Sequence, residues 1–476
     1  MILFLIFVYI CIVMAVSTFA ARRVKSLSDY MHASGKYNLP TAVATTFASW
    51  FGASSMLAAP AVFISRGTSG VIADPYASTA CCIFLAISVA KHIFRSNVYT
   101  IGDFYRKRYN STIEAMSSFV IVLSYLGWIS GVITCIGLVL DVLSGRRMGI
   151  PFANTLAAIM ICLYGIRGGM WSLALADCLQ FTVIVSGLLF LLGHFSHKVG
   201  GFGVLVSHAI EQGRYVFFPD HSISKLLLQF SDFAGLFIGL IPQQDLFQRI
   251  AACRNENVAA RSFGIMSVIY VIMSNVPMLI AFSATLLAPG IVSYYTKIDS
   301  QLILPEFLLS QTSLVFQAAF FGALFAGLLS GGGTALLAPA TTIAKNVFCR
   351  VYKDLTDNQV LFISRCCIFF LAASQLFVTL VAKKSIYSII LDSYSVTSVA
   401  AAVPLLAGFF WKKANSQGAF LSIFLGFISW VIAKFCFVDL NLPSTLIGVL
   451  SATLGIVIGS SVPTIKCLCR FVHDGV

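Results

Sequence analysis

The costliest residue in this sequence is a carboxylate set in a long apolar run. Asp177, within Ala176-Asp177-Cys178-Leu179-Gln180, is that residue. An ionised side chain in such a setting is disfavoured by about 3 kcal/mol, so it marks an ion or proton route unless it caps or snorkels at a helix end. Two other stretches could expose backbone groups to a ligand. The run Phe51-Gly52-Ala53-Ser54-Ser55 precedes Pro60, and Gly235 and Gly239 precede Pro242. Proline removes a helix hydrogen bond and glycine costs about 1 kcal/mol relative to alanine, so an apolar helix can be interrupted at either place. Packing alone also puts Gly and Pro in such helices. Polar residues near the breakers are candidates for orienting a small solute: Ser54 and Asp74 with Tyr76 by the first, Gln229 and Asp232 by the second. Trp50 and Phe51 offer aromatic faces suited to a cation or an apolar moiety. Asp232 and Asp392 have an alternative place in a solvated outer interface.

No catalytic set accompanies them. His92, His194, His197, His208 and His221 are scattered, without HExxH or GxSxG spacing, so the sequence does not read as an enzyme. The 13 cysteines lie mostly in apolar runs, as Cys81-Cys82 and Cys366-Cys367 do, with no CxxC pair or Cys/His cluster. They read as packing residues, and neither a cofactor nor a transition metal is expected. No repeat resembling a channel selectivity filter is present.

The elements that must position these residues are membrane helices. The chain has 476 residues, 58% hydrophobic and 10% charged, against roughly a quarter charged in a soluble domain. Thirteen apolar stretches are each long enough to cross a hydrocarbon core of roughly 30 Å. They fall at 2–20, 39–64, 72–94, 114–144, 150–165, 170–195, 227–247, 263–289, 313–344, 361–381, 386–410, 419–437 and 444–463. In the first of these the basic residues Arg22, Arg23 and Lys25 follow the apolar core rather than precede it, so it reads as a retained helix and not a signal peptide.

The net charge of +13 sits in the short loops between spans, so it reports topology rather than nucleic-acid binding. With the N-terminus outside, the inside loops hold 19 Lys and Arg against 9 outside, which predicts N-out and C-in at the plasma (inner) membrane. Arg106-Lys107-Arg108 and Lys412-Lys413 are explained by this anchoring. The tail after the last span is short, and no appended soluble domain is expected. Helices two to six and seven to eleven form two blocks of five, and an odd-numbered unit repeated in tandem must be inverted in the membrane. The expected organisation is one membrane domain over 1–476: a leading helix at 2–20, a first repeat at 39–195, a second at 227–410 and two trailing helices at 419–463. The first helix of each repeat should be the interrupted one.

Six local motifs, in order, then resemble the sodium:solute symporter family, whose members carry proline, pantothenate, choline, iodide and sugars. They are Asp29-Tyr30 through Gly35; Ala48 through Ser55 leading to Pro60; and Tyr99-Thr100-Ile101-Gly102-Asp103-Phe104 with Arg106 through Tyr109. Then come Gly168-Gly169-Met170-Trp171 with Ala176 through Gln180; Pro242 through Arg249; and Gly408 through Ala414 with Gly418. The resemblance spans roughly residues 28–420. It implies an all-α polytopic fold with a five-plus-five inverted-repeat, leucine-transporter-like core. It also implies sodium-coupled symport of a small polar organic solute by alternating access.

Carried over by position, the family's sodium ligands would be the carbonyls of Ala48, Phe51 and Gly327 and the hydroxyl of Ser330, with Asp177 on the ion's route to the cytoplasm. Oxygen ligands suit a hard cation. This chain departs from the family at Gly331, within Ser330-Gly331-Gly332-Gly333-Thr334, where the family usually has a second hydroxyl. Thr334, one turn on, could help if the glycine run unwinds. Three glycines in a row cost on the order of 2–3 kcal/mol of helix propensity, so close packing or irregular backbone is expected there. The departure leaves proton coupling, with Asp177 as carrier, or uncoupled transport open beside sodium. A stand-alone solute sensor is the remaining alternative.

Overall fold

The computed structural model describes residues 1–463 apart from Arg23, Lys25, Tyr99, 219–221, Lys353, 382–385 and 438–442. Arg23, Lys25, Tyr99, His221 and the basic C-terminal tail, all read above, therefore lie outside the described residues. The long elements are helices, because a bilayer offers no partner to a bare backbone group and a helix satisfies its own. Among the described residues the β contact is one isolated bridge between Tyr37 and Cys253.

The helices are α1 (Ile2–Ala21), α2 (Leu39–Trp50), α3 (Ser54–Gly70), α4 (Ile72–Ser96), α5 (Ser111–Leu143), α6 (Ile150–Ile166), α7 (Gly169–Val199) and α8 (Ile223–Leu240). They continue with α9 (Gln244–Ala252), α10 (Glu256–Leu287), α11 (Leu314–Val351), α12 (Asp357–Leu380), α13 (Ile386–Phe410), α14 (Ser416–Cys436) and α15 (Ser444–Ser461). Eleven described helices are long and apolar enough to cross a membrane, the bent pair α2–α3 makes a twelfth, and α6 is apolar but shorter than the rest. Thirteen were expected from hydropathy: the stretch at 150–165 is the short α6, and the one at 227–247 runs across the break between α8 and α9.

Both expected interruptions are present. Asn38 caps α2 through the Thr41 amide, and the helix stops where Phe51 adopts φ −82°, ψ 77°. α3 then leaves at 59° to α2. The break lies at 51–53, and Pro60 sits inside α3, where a wide π-type turn over Ser54–Ala58 precedes it. In the second repeat α8 runs through both glycines and ends at Leu240, while the extended Gln243 (φ −84°, ψ 131°) starts α9. Pro242 is thus the breaker, and Gly235 and Gly239 serve close packing on Thr445 and the Tyr394 carbonyl. α6 and α7 meet at Gly169, whose φ of +55° and contact with the Tyr30 carbonyl exclude a side chain.

Burial sorts the helices. Every residue of α11 from Ala323 to Thr342 is buried, so this helix is the centre of the bundle. The leading helix α1 buries only Ile6, Val13, Ser17 and Ala20, turns Phe4, Phe7 and Phe19 outward, and is tied to α7 by a Ser17–Ser172 hydrogen bond.

Candidate functional site

At the end of α2 the Gly52 amide donates to the Trp50 carbonyl (3.0 Å). The Ala48 carbonyl is therefore left without the donor that a continuing helix would supply. The next carbonyl in the break, that of Phe51, lies against Gly327 of α11 so closely that a Cβ there would collide with it. Three of the expected ion ligands, Ala48, Phe51 and Gly327, are thus gathered where the broken helix crosses the central one.

The fourth, Ser330, donates its hydroxyl to Asp177 Oδ1 at 2.6 Å. Asp177 is fully buried, its Oδ2 has no hydrogen-bond partner among the described residues, and the Arg249 guanidinium stands 4.0 Å from it. α11 stays helical through the glycine run, so close packing rather than unwinding is the outcome there: Gly332 faces Ile161 and Gly333 faces Tyr164. Gly331 approaches α2, where a Cβ would lie 3.1 Å from the Ser49 carbonyl. Thr334 does not turn to the missing-ligand position. Its Oγ1 accepts a hydrogen bond from Arg249 Nη2 (3.0 Å).

Arg249 is the residue that sequence reasoning misplaced. Counted above among loop cations, it is 1% exposed and lies on α9 directly after the second break. Its Nε reaches the Thr45 carbonyl (3.4 Å), and its Nη1 faces both the Asp245 carbonyl (3.4 Å) and Asp245 Oδ2 (3.8 Å). One guanidinium therefore stands between two buried carboxylates, Asp177 and Asp245. The Pro242–Arg249 motif was legible in the sequence, but nothing local marked its last residue as buried.

A narrow pocket lies beside this cluster, between the two helix breaks. Trp50, Ser54 and Asp74 line it as expected, together with Ser78, Trp128, Tyr270, Tyr387, Tyr394 and Gly331. Gly331 thus belongs to both the cavity wall and the ion-site surroundings. Gln229 and Asp232 are not brought there: Gln229 donates to the Ser69 carbonyl (3.4 Å), and Asp232 is exposed on the N-terminal half of α8. Tyr76 is turned aside to Asn275 and Phe217. Asp392 pairs with Lys434. The aromatic residues Trp128, Tyr270, Tyr387 and Tyr394 were missed, since such residues are common in membrane helices for packing alone.

The sequence that folds into these broken helices around a pocket can itself be placed in a family. The sequence model of the Sodium:solute symporter family fits residues 30–426, most of the chain. The chain belongs to the sodium:solute symporter family. Among its relatives, the human high affinity choline transporter 1 is 22% identical, with 69% of this chain and 57% of that protein aligned. The sodium/pantothenate symporter of Escherichia coli K12 is 22% identical over 96% of both chains. The sodium/sialic acid symporter NanT of Aliivibrio fischeri is 21% identical over 76% of this chain and 72% of its own. Among solved structures, a Na⁺-coupled sialic acid symporter in a substrate-bound outward-open state superposes with a TM-score of 0.81 at 16% identity, covering 97% of each chain. MhsT in complex with L-phenylalanine gives 0.53 at 15% identity, over 90% of this chain and 99% of its own. These structures establish the fold of this family member: an all-helical integral membrane protein with the inverted-repeat core.

Proposed function

We propose that this chain is a secondary active transporter that couples sodium entry to symport of a small organic solute by alternating access. The observation that carries the reading is the charge count at the first break. Two buried carboxylates, Asp177 and Asp245, face the single Arg249 guanidinium. Immediately beside them the Ala48 and Phe51 carbonyls and Ser330 supply uncharged oxygens. One positive charge is wanting there, and a sodium ion among those oxygens supplies it. Moving one such charge through 100 mV is worth about 2.3 kcal/mol, enough to concentrate a solute roughly fifty-fold. The relatives named for sodium symport of pantothenate and sialic acid support the same coupling.

In this reading Ala48, Phe51, Gly327 and Ser330 hold the ion, Asp177 marks its exit, and Trp50, Ser54 and Asp74 face the solute. Thr334 is removed from the ligand set by its bond to Arg249. The chain sits as one transporter domain in the plasma membrane, N-terminus outside and C-terminus cytoplasmic, as the loop charges favour.

Uptake into proteoliposomes, with sodium and proton gradients imposed separately, is the test. Stimulation by an inward sodium gradient supports the proposal. A solute that binds but is moved under neither gradient would sink it, and failure of labelled-solute counterflow would leave a sensor. A second reading, proton coupling, is favoured by the unpartnered buried Oδ2 of Asp177 and the missing hydroxyl at Gly331. Stimulation by a proton gradient alone would select it.

A further inference from the structure

The chemistry of the cavity wall narrows the solute, given the transport reading above. Among the described lining side chains there is one carboxylate, Asp74, and no Lys, Arg or His. Asp74 is 6% exposed, and its Oδ1 accepts hydrogen bonds from Ser78 Oγ (3.0 Å) and Tyr270 OH (2.8 Å). Unlike Asp177 and Asp245, it has no basic partner among the described residues. A carboxylate held this deep without a counter-charge is costly, and a cationic ligand removes the cost. An anionic solute would find no cationic side chain among the described lining residues.

Five aromatic residues, Trp50, Trp128, Tyr270, Tyr387 and Tyr394, share the wall with aliphatic and small side chains. Trp50 meets Tyr270 edge to face (centroids 6.4 Å apart, 83°), and across the cavity lining Trp128 meets Tyr394 (6.4 Å, 44°). Ring faces attract ammonium groups, by about 2 kcal/mol where water is excluded. The two tryptophans are also held in place from behind by one group. Asp245 Oδ2 accepts from Trp50 Nε1 (3.1 Å), and Asp245 Oδ1 accepts from Tyr125 OH (2.6 Å), whose ring packs on Trp128 at 5.6 Å. Rings fixed before the ligand arrives save the ordering cost of binding.

We propose that the solute is a small organic ammonium cation, paired with Asp74 and boxed by Trp50, Trp128, Tyr270 and Tyr394. The sodium/solute cycle then carries two positive charges inward, so uptake is electrogenic beyond the ion alone.

The test uses purified full-length protein, with choline and tetramethylammonium as cation probes, pantothenate as an anion probe and glucose as a neutral one. Binding is read in detergent by tryptophan fluorescence and transport in proteoliposomes. The expected result is saturable binding of a cation probe and none of the other two. Asp74→Asn should weaken that binding about ten-fold or more, which is about 1.4 kcal/mol. Since that variant can misfold, biosynthetic replacement of tryptophan by fluorotryptophans, which keeps shape and drains the ring face of charge, should lower cation affinity stepwise with fluorine number. Sodium-driven uptake of the anion or neutral probe with no binding of either cation would overturn the ammonium assignment and leave the transport reading standing. Cation binding without uptake would do the reverse. Affinity unchanged on fluorination, or no cation bound at all, would overturn the ammonium box.

Discussion

The two helix breaks are related by the inverted repeat, yet they offer opposite things. The break at 51–53 presents main-chain oxygens to α11, with no charged side chain in the break itself. The break at 241–243 leads straight into α9, whose Asp245 and Arg249 are each 1% exposed. A ligand that must leave again is best held by uncharged dipoles, while a permanent ion cluster stiffens whatever it joins. Under the proposed sodium coupling, backbone symmetry is thus divided into two tasks by sequence: the first break exchanges the ion, and the second holds.

Removing the charge from the holding side should have the largest effect. Arg249→Ala leaves Asp177 and Asp245 buried without a counter-charge, a loss of about 3–5 kcal/mol, and is expected to abolish uptake and lower the melting temperature in detergent. Arg249→Lys should recover part of the stability but not the separate contacts to Thr45 and Thr334. A fully stable, active alanine variant would show that the second break holds nothing. On the exchanging side, Gly327→Ala drives a methyl into the Phe51 carbonyl, which cannot retreat without moving the break. Sodium-stimulated uptake should fall about ten-fold or more, as expected when an overpacked contact costs 1–3 kcal/mol. Unaltered sodium dependence would separate the break from the ion.

A smaller, signed effect is expected at Gly331. Serine there restores a hydroxyl but brings Cβ to 3.1 Å from the Ser49 carbonyl, whereas alanine brings only the crowding. Half-saturation by sodium should drop a few-fold in Gly331→Ser relative to Gly331→Ala, on the order of one hydrogen-bond-sized contribution. Equal values in both would place the ion elsewhere. The smallest effect belongs to Asp232→Asn, at an exposed position away from the cavity, where uptake should change by less than about two-fold, as surface substitutions usually do. A large loss would return α8's outer end to the solute site.

The same contrast explains what was legible beforehand. Span lengths and breakers are local properties, so most of the spans and both interruptions could be read directly, and the polar or aromatic residues Trp50, Ser54 and Asp74, picked out beside the first break or at the start of the next span, do line the pocket. The positions of Gln229 and Asp232 looked equivalent on the second repeat. They were not, because the break came later, at Pro242, and left Asp232 about one turn and Gln229 about two turns beyond Leu236, the first residue of α8 to line the pocket. Arg249 resembled a loop anchor since its neighbours Gln248 and Arg254 are polar too. Its partners come from α7, α2 and α11, and only their convergence makes an arginine tolerable inside the bundle.

The glycine run of α11 has a mechanical consequence. Helices lock together when the side-chain ridges of one fill the grooves of another. Over residues 331–333 the central helix has no ridges of its own: α2 meets it through a carbonyl, α6 through Ile161 and Tyr164, α5 through Val132 and α7 through Leu173. Such a surface resembles a plain bearing more than a gear. The hub of the bundle can thus let its neighbours slide by small increments while its own hydrogen-bonded rod stays intact.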